Sequence, residues 1–326
     1  MSYLGKVNRD KNIFSYLFVI VCMVICSGCT ETGRGQAFPV LKGPYLGQKP
    51  PGMIPEVFAS EVFTDFKYTF CSVFSPDGNE YYFAAARSEN DKAGIYWMRR
   101  RNQKWTKPEP APFNSLEIDH DMRFSADGSQ IFFQSWRPLP GSNTPDELGC
   151  LWFSVRKKTG WSEPQPVKCG GRILRAGYPD ISRNGTLYFS TRDKNTRNVD
   201  IHSSRFINGT FASPENLGNS INTEYIEGDL CVSADERFII VSCWERPDNT
   251  GGGESDLYIS FRQNDGSWTK LINMGENINT EYIENCPTIS PDERYFFFQR
   301  FDGRDKSETY WVDARIIEDL KPEELK

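Results

Sequence analysis

The sequence predicts an all-β fold: a β-propeller of four-stranded antiparallel blades, five in number with six as the alternative, its ring closed by an N-terminal strand that completes the last blade. Three observations lead there. The heptapeptide Ile-Asn-Thr-Glu-Tyr-Ile-Glu occurs at 221–227 and again at 278–284. A tight-turn marker recurs five times, and each copy is flanked by short aromatic and β-branched runs. A catalytic motif normally appears once per site, whereas a unit stacked many times repeats its joints, so the duplication points first to architecture.

The markers are Ser75-Pro76-Asp77-Gly78, Ser125-Ala126-Asp127-Gly128, Ser182-Arg183-Asn184-Gly185, Ser233-Ala234-Asp235-Glu236 and Ser290-Pro291-Asp292-Glu293, spaced by 50, 57, 51 and 57 residues. Proline at the second position presets φ, Asp or Asn bonds its own backbone, and Gly accepts positive φ, which is hairpin chemistry. An apolar residue precedes each turn serine, and a run such as Tyr81-Tyr82-Phe83, Ile131-Phe132-Phe133 or Tyr295-Phe296-Phe297-Phe298 follows. Apolar runs this short read as strands buried on both faces. A third strand follows in each unit, as in Ile95-Tyr96-Trp97 and Leu257-Tyr258-Ile259, and a fourth is expected to begin near Trp105, Trp161, Phe211 and Trp268. Four such strands make a propeller blade.

The chain ends fit the same scheme. Pro55-Glu56-Val57-Phe58 reads as an outer strand without its own first three, and the last repeat stops after Tyr310-Trp311-Val312 without a fourth. Joining the two leaves no open sheet edge at the seam. The 260 residues from Pro55 to Ala314 give 52 per blade, matching the marker spacing. The expected organisation is a signal peptide at 1–28, a Pro/Gly-rich tether at 29–54, the propeller at 55–314 and a tail at 315–326 that adds one helical turn on the rim.

Lys6, Arg9 and Lys11 precede an apolar run over 13–25, too short for a comfortable membrane span, as in an export signal. The run ends in Cys26-Ser27-Gly28-Cys29, which resembles a bacterial lipobox with Cys29 as the lipidated residue; Cys26 departs from the usual Leu. The reading places the protein in the bacterial cell envelope, on the periplasmic or outer-membrane face, touching membrane only through its lipid, as a monomer. Loss of the signal removes three cations and one anion, taking the formal charge from −6 to about −8. Such an acidic surface argues against nucleic acid. Six cysteines remain after Cys29 and none forms a Cys-x-x-Cys, so they read as buried free thiols rather than zinc ligands or a disulfide framework, although export permits a disulfide.

The Ser-Pro-Asp-Gly turn, the Tyr/Phe-rich strand after it, the Asp-Leu-Tyr strand and the Asn-x-Gly-x-x-Ile-Asn-Thr joint resemble WD40-like β-propeller repeats of the TolB type, over essentially all of 55–314. That resemblance implies protein or glycan binding at the cell envelope, often by lipoproteins.

The heptapeptide falls at the link from the outer strand of one blade to the inner strand of the next, where Asn and Thr can satisfy backbone groups. Six residues before each turn serine stand Thr69, Asp119, Ala176, Glu227 and Glu284; ten to thirteen after it stand Arg87, Arg137, Arg192, Arg246 and Arg300. Across a hairpin these sets face one another, so five arginines are expected at one channel mouth, with Arg137–Asp119, Arg246–Glu227 and Arg300–Glu284 as pairs. Arg87 and Arg192 lack an acid in their own repeat and form a candidate site for an anionic group, unless Glu89 or Asp193 completes the pairs. Asp119-His120-Asp121, helped by Asp229 and Glu284, is a candidate divalent-cation site at the same mouth; otherwise no cofactor is expected.

Two functions remain open from sequence. One is a non-catalytic binding or scaffold propeller that recognises an anionic glycan or an envelope protein segment. The other is a carbohydrate-active lyase or hydrolase using Asp119, His120 and Glu284. The chain has no Gly-x-Ser-x-Gly elbow and no Ser-x-Asp-x-Gly-x-Thr-Trp turn of the sialidase type.

Overall fold

The structure, a computed structural model, describes residues 38–192, 198–302 and 307–325. The expected signal peptide and the Cys29 lipidation site lie outside the described residues. Nearly every regular element is a strand. A short β1 (Glu56–Val57) precedes a first antiparallel meander of β2 (Tyr68–Phe74), β3 (Glu80–Ala86) and β4 (Gly94–Arg101), edged by β5 (Lys104–Trp105) and β6 (Glu109–Pro110). The second meander is β7 (Asp119–Phe124), β8 (Gln130–Ser135), β9 (Cys150–Val155) and β10 (Gln165–Pro166). β11 (Lys168–Cys169) and β12 (Arg172–Ile173) then lead to β13 (Gly177–Ile181), β14 (Leu187–Arg192) and β15 (Val199–Ser204). β16 (Phe206–Ile207) and β17 (Thr210–Phe211) join β11 and β12 in a small side sheet, and β18 (Glu215–Asn216) completes the third meander on β15. The fourth runs β19 (Ile226–Val232), β20 (Phe238–Trp244), β21 (Ser255–Phe261) and β22 (Ile272–Asn273). β23 (Ile283–Ile289), β24 (Tyr295–Phe301) and β25 (Ser307–Asp313) follow, and β1 pairs antiparallel with β25, Glu56 opposite Trp311. A single parallel bridge, Ser255 to Ile283, links the last two meanders into one eight-stranded sheet.

The first strands of successive meanders neighbour one another in the order β2, β7, β13, β19, β23 and back to β2. Apolar residues fill the gaps between consecutive sheets. Tyr82 and Phe133 meet between the first and second, Leu151 and Phe189 between the second and third, and Tyr188 and Val241 between the third and fourth. Ile240 and Phe298 share the core between the fourth and fifth, and Phe297 and Tyr81 that between the fifth and first, where Phe58 packs on both rings. This explains the continuous apolar runs: a strand with a sheet packed on each side has no face left for alternating polar residues.

Each turn works as its sequence implies. Ser75 Oγ donates to Asp77 Oδ1 at 2.6 Å, the same oxygen accepts from the Asn79 amide at 3.0 Å, and the Glu80 amide donates back to Ser75 Oγ at 2.9 Å. The fourth turn residue has φ of +65° at Gly78, and in the last two repeats Glu236 and Glu293 occupy the same left-handed conformation at +62° and +57°. A side chain there costs about 1 kcal/mol or more, so those two turns are the strained copies.

The fourth strands sit later than expected. Trp105, Trp161 and Trp268 pair with the end of the third strand as small hairpins, and the outer strand starts a few residues on. The heptapeptide is a joint. Asn222 Oδ1 accepts from the Ile201 amide at 2.7 Å while its Nδ2 donates to the Ile201 carbonyl at 2.8 Å, and Asn279 and Asn114 repeat this on Leu257 and Ile95. One amide side chain thus clips each of these three crossovers to the third strand of the sheet behind it, while the backbone carbonyl of Leu174 takes that place on Leu151.

Two expectations need correction. The described part of the tether, 38–54, is packed: Leu46 is buried, Tyr45 packs among Phe74, Tyr295 and Phe297, and its hydroxyl donates to Asp292 at 2.7 Å. Its few apolar side chains cap the seam between the first and last sheets. Not all cysteines are free thiols either. Cys150, Cys169, Cys231 and Cys243 are free and buried, whereas Cys71 and Cys286 form a disulfide, because β2 and β23 lie side by side although 215 residues separate them. The tail forms helix α1 (Arg315–Asp319), with Ile317 buried against the fifth sheet.

Candidate functional site

Alternate residues of a strand face the same side, so three tiers of side chains line the space that the five inner strands surround. Six residues before the turn serines stand Thr69, Asp119, Ala176, Glu227 and Glu284. Four before stand Cys71, Asp121, Tyr178, Asp229 and Cys286. Two before stand Val73, Arg123, Asp180, Cys231 and Thr288. The middle tier coincides with a break in register in every inner strand, between Phe70 and Ser72, His120 and Arg123, Gly177 and Asp180, Glu227 and Leu230, and Asn285 and Thr288. Such bulges re-aim a side chain. Four of the five residues, Cys71, Asp121, Tyr178 and Cys286, have φ between +42° and +54°.

The outer tier is internally satisfied. Thr280 donates to Glu284 from its hydroxyl at 2.7 Å and its amide at 3.1 Å, and Thr223 and Ser115 do the same for Glu227 and Asp119. Arg300 Nε reaches Glu284 at 2.6 Å and its Nη2 the Ile278 carbonyl at 2.8 Å; Arg137 Nη2 reaches Asp119 and the Phe113 carbonyl, both at 2.9 Å. Arg246 departs from the expected pairing with Glu227. It makes a bidentate pair with Asp248 at 2.9 and 3.0 Å, because two residues of loop suffice to bring that carboxylate under the fork.

Four of the arginines stack on the third-strand aromatic of their own sheet: Arg87 on Tyr96 at 5.5 Å, Arg137 on Trp152 at 5.3 Å, Arg246 on Tyr258 at 4.5 Å and Arg300 on Tyr310 at 4.4 Å. Each of these guanidiniums thus has an aromatic face of its own sheet as a partner. Arg87 also covers Phe66, at 4.8 Å, and Arg192 ends β14 opposite Val199.

Of the expected cation ligands, Asp119 and Glu284 are held by Arg137 and Arg300, while Asp121 and Asp229 do face inward. Asp121, Asp229, Cys71 and Cys286 are buried, with one ligand atom from each within 4.8 Å of the others, around a cavity of about 10 Å³ also lined by Tyr178 and Arg123. Cys71 Sγ lies 2.7 Å from Asp121 Oδ1 and Cys286 Sγ 3.5 Å from Asp229 Oδ1. Burial, then the charge of Asp121, pushes the Asp229 carboxyl above the usual carboxylate range. His120 packs against Phe70 and Trp136 with Nδ1 2.7 Å from Asp121 Oδ2. Counting back four from each turn serine, rather than six, is the sequence signal for this ring.

Below it, Arg123 donates to the carbonyls of Met122 at 2.9 Å and Pro287 at 2.7 Å, with Nε 3.9 Å from Asp180 Oδ2. Asp180 accepts from the Val232 amide at 2.9 Å, and burial raises its pKa against the opposing pull of Arg123. From this tier a cavity of about 450 Å³ opens at the turn end. Its walls include Phe74, Phe124, Ile181, Val232 and Ile289, the apolar residues preceding the turn serines, and its rim carries Arg183, Arg237, Arg315, Glu293 and Glu318. Arg237 pairs with Glu293 at 2.9 Å and Glu318 at 3.2 Å, and Arg315 with Asp313 at 2.8 Å.

The buried acids set a pH dependence. Glu227 titrates at its ordinary 4.5 when unfolded, and burial pushes it up to about 7 in the fold. The folded state thus holds the proton more tightly, so stability from this group is greatest below about pH 4.5 and falls as pH rises to about 7. Glu227→Gln keeps acceptors for Thr223, whose hydroxyl can rotate to receive the amide. The variant should be more stable than wild type at about pH 8, and its stability should change less between about pH 5 and pH 8 in denaturant titrations. An unchanged slope would assign the pH dependence to other groups.

The fold is that of a TolB-like β-propeller. A structure of a putative TolB from Agrobacterium tumefaciens superposes with a TM-score of 0.50 at 17% identity over 76% of this chain and 77% of that one. The structure of a BT0996 complex with RGII gives a TM-score of 0.51 at 10% identity over 88% of this protein and 92% of that one. TolB from Acinetobacter baumannii aligns at 12% identity and a TM-score of 0.46 over 76% of this chain and 57% of that one. No family model matches the sequence, and no curated protein is significantly similar to it. Among the described residues no helix is long and apolar enough to cross a membrane.

Proposed function

We propose that the chain is a closed five-bladed propeller, anchored in the bacterial envelope through Cys29, that acts as a monomeric, non-catalytic binding protein and holds an extended segment of another envelope protein in the cavity at the turn end. Ring closure is supported by the cyclic order of the inner strands, the apolar fill between every consecutive pair of sheets and the β1–β25 pairing. The observation that carries the binding reading is the character of the 450 Å³ cavity: an apolar side chain from each of the five inner strands, between a base of Arg123 and Asp180 and a rim whose arginines already have acidic partners. An apolar cavity with a few polar groups at its edge is the usual form of a specific binding site. A charge-balanced rim favours a peptide with apolar anchors over a polyanionic glycan. The enzymatic alternative asks for free carboxylates at Asp119 and Glu284, and both are held by arginine and hydroxyl partners.

The test is selection of short random peptides on the protein, followed by titration against a variant with the cavity mouth filled, Ala126→Trp with Ala234→Trp. Both positions line the cavity outside the apolar cores. Selected peptides with apolar anchors should lose at least about tenfold in affinity for the filled variant, since each 1.4 kcal/mol is tenfold. Peptides that bind both forms equally would move the site elsewhere.

A further inference from the structure

The ring at the hub has a composition that a packing role does not call for. Four of its five members are two cysteines and two aspartates, contributed by the first, second, fourth and fifth sheets, all buried and all aimed at one point. A disulfide sulfur carries no proton, so in the cross-linked state neither the 2.7 Å contact of Cys71 with Asp121 nor the 3.5 Å contact of Cys286 with Asp229 is a hydrogen bond. Two carboxylates then face sulfur lone pairs in a buried space. Asp121 Oδ2 and His120 Nδ1 approach to 2.7 Å without hydrogen-bond geometry and have no other partner among the described residues. The cation next to the ring, Arg123, commits two of its nitrogens to carbonyls. A buried acceptor set of this kind is costly unless a cation completes it.

We propose that the reduced protein binds one soft divalent cation, with Zn²⁺ the best fit, through Cys71, Asp121, Asp229 and Cys286, and that the disulfide is the metal-free, oxidised state of the same site. Thiolates select zinc over the hard cations that carboxylates alone prefer. At zinc bond lengths of about 2.3 Å to sulfur and about 2.0–2.2 Å to oxygen, the corners of a tetrahedron stand roughly 3.3–3.8 Å apart. The four donors already lie within 4.8 Å of one another, so small side-chain shifts suffice. Four protein ligands leave no open position, which makes this a structural clasp rather than a catalytic centre. Ser242, which donates to Asp229 at 3.1 Å, would orient that carboxylate from behind.

The two states interconvert with a phosphine reductant, which breaks the S–S bond, gives two thiols with protons from water, and leaves as the phosphine oxide. Zinc then displaces the two thiol protons. The purified protein is reduced with excess phosphine, loaded with ZnCl₂, desalted and measured for metal by mass spectrometry. Reduced wild type should retain one zinc per molecule and oxidised wild type none. Cys71→Ser with Cys286→Ser should retain none, and Asp229→Asn should bind at least about tenfold more weakly. Cobalt(II) added to the reduced wild type should give a thiolate-to-metal charge-transfer band, a readout that needs no variant. The proposal falls if reduced, folded wild type retains no zinc and shows no such band. Equal retention by the double serine variant, or unfolding on reduction that zinc does not prevent, overturns it as well.

Discussion

Trp311→Ala should destabilise the protein by about 3–5 kcal/mol, the range for removing a fully buried large aromatic. Trp311 has no exposed surface and its ring packs against Phe58 at 5.0 Å, Tyr295 at 5.1 Å, Phe297 at 5.6 Å and Tyr45 at 5.8 Å. These neighbours come from the fifth sheet and from the two N-terminal segments laid over it, so they cannot collapse together into the hole without opening the seam. Trp311→Phe makes the contrast: among the described residues the indole Nε1 has no hydrogen-bond partner, so only part of the ring area is lost and the cost should be well under half. Denaturant unfolding of the two variants side by side checks this. Similar losses for both would show that the indole nitrogen, not the packing, matters.

Arg123→Ala should cost a similar amount, about 3–5 kcal/mol, by a different route. The guanidinium is buried, bonds a carbonyl of the fifth sheet and supplies the positive charge facing Asp180. Truncation leaves the largely buried Asp180 with its charge uncompensated and the Pro287 carbonyl without its donor. Adding Asp180→Asn to Arg123→Ala should recover part of the loss, with a coupling of about 0.5–3 kcal/mol in the double-mutant cycle. Strict additivity would mean that the 3.9 Å separation is too long to matter.

The meanders, the joints and the pairing of Glu56 with the last sheet are legible because each depends on neighbours in sequence: a turn, an apolar run, a clipped crossover. The hub is harder to read. Cys71 and Cys286 are 215 residues apart and unremarkable singly; they become partners only through the tiering of the inner strands. The middle tier in turn falls at one bulge residue per strand, so a count that stops at the acids facing arginines passes over the row that holds two cysteines and two aspartates. Arg246 shows a second limit. A strand-to-strand rule pairs it with Glu227, and a nearer carboxylate in the loop, Asp248, takes the fork instead. For 38–54, abundant Pro and Gly read as a linker, yet Leu41, Tyr45 and Leu46 are enough to fasten it.

That fastening has a consequence for biogenesis. Tyr45 touches Asp292, 247 positions downstream, and Glu56 waits for Trp311. A nascent polypeptide therefore exposes the bare flank of β25 until its own beginning returns to cover it, and these contacts of long sequence separation form last and slowly. Deleting a short stretch from either terminus should harm the same place, leaving one unpaired strand available to other copies.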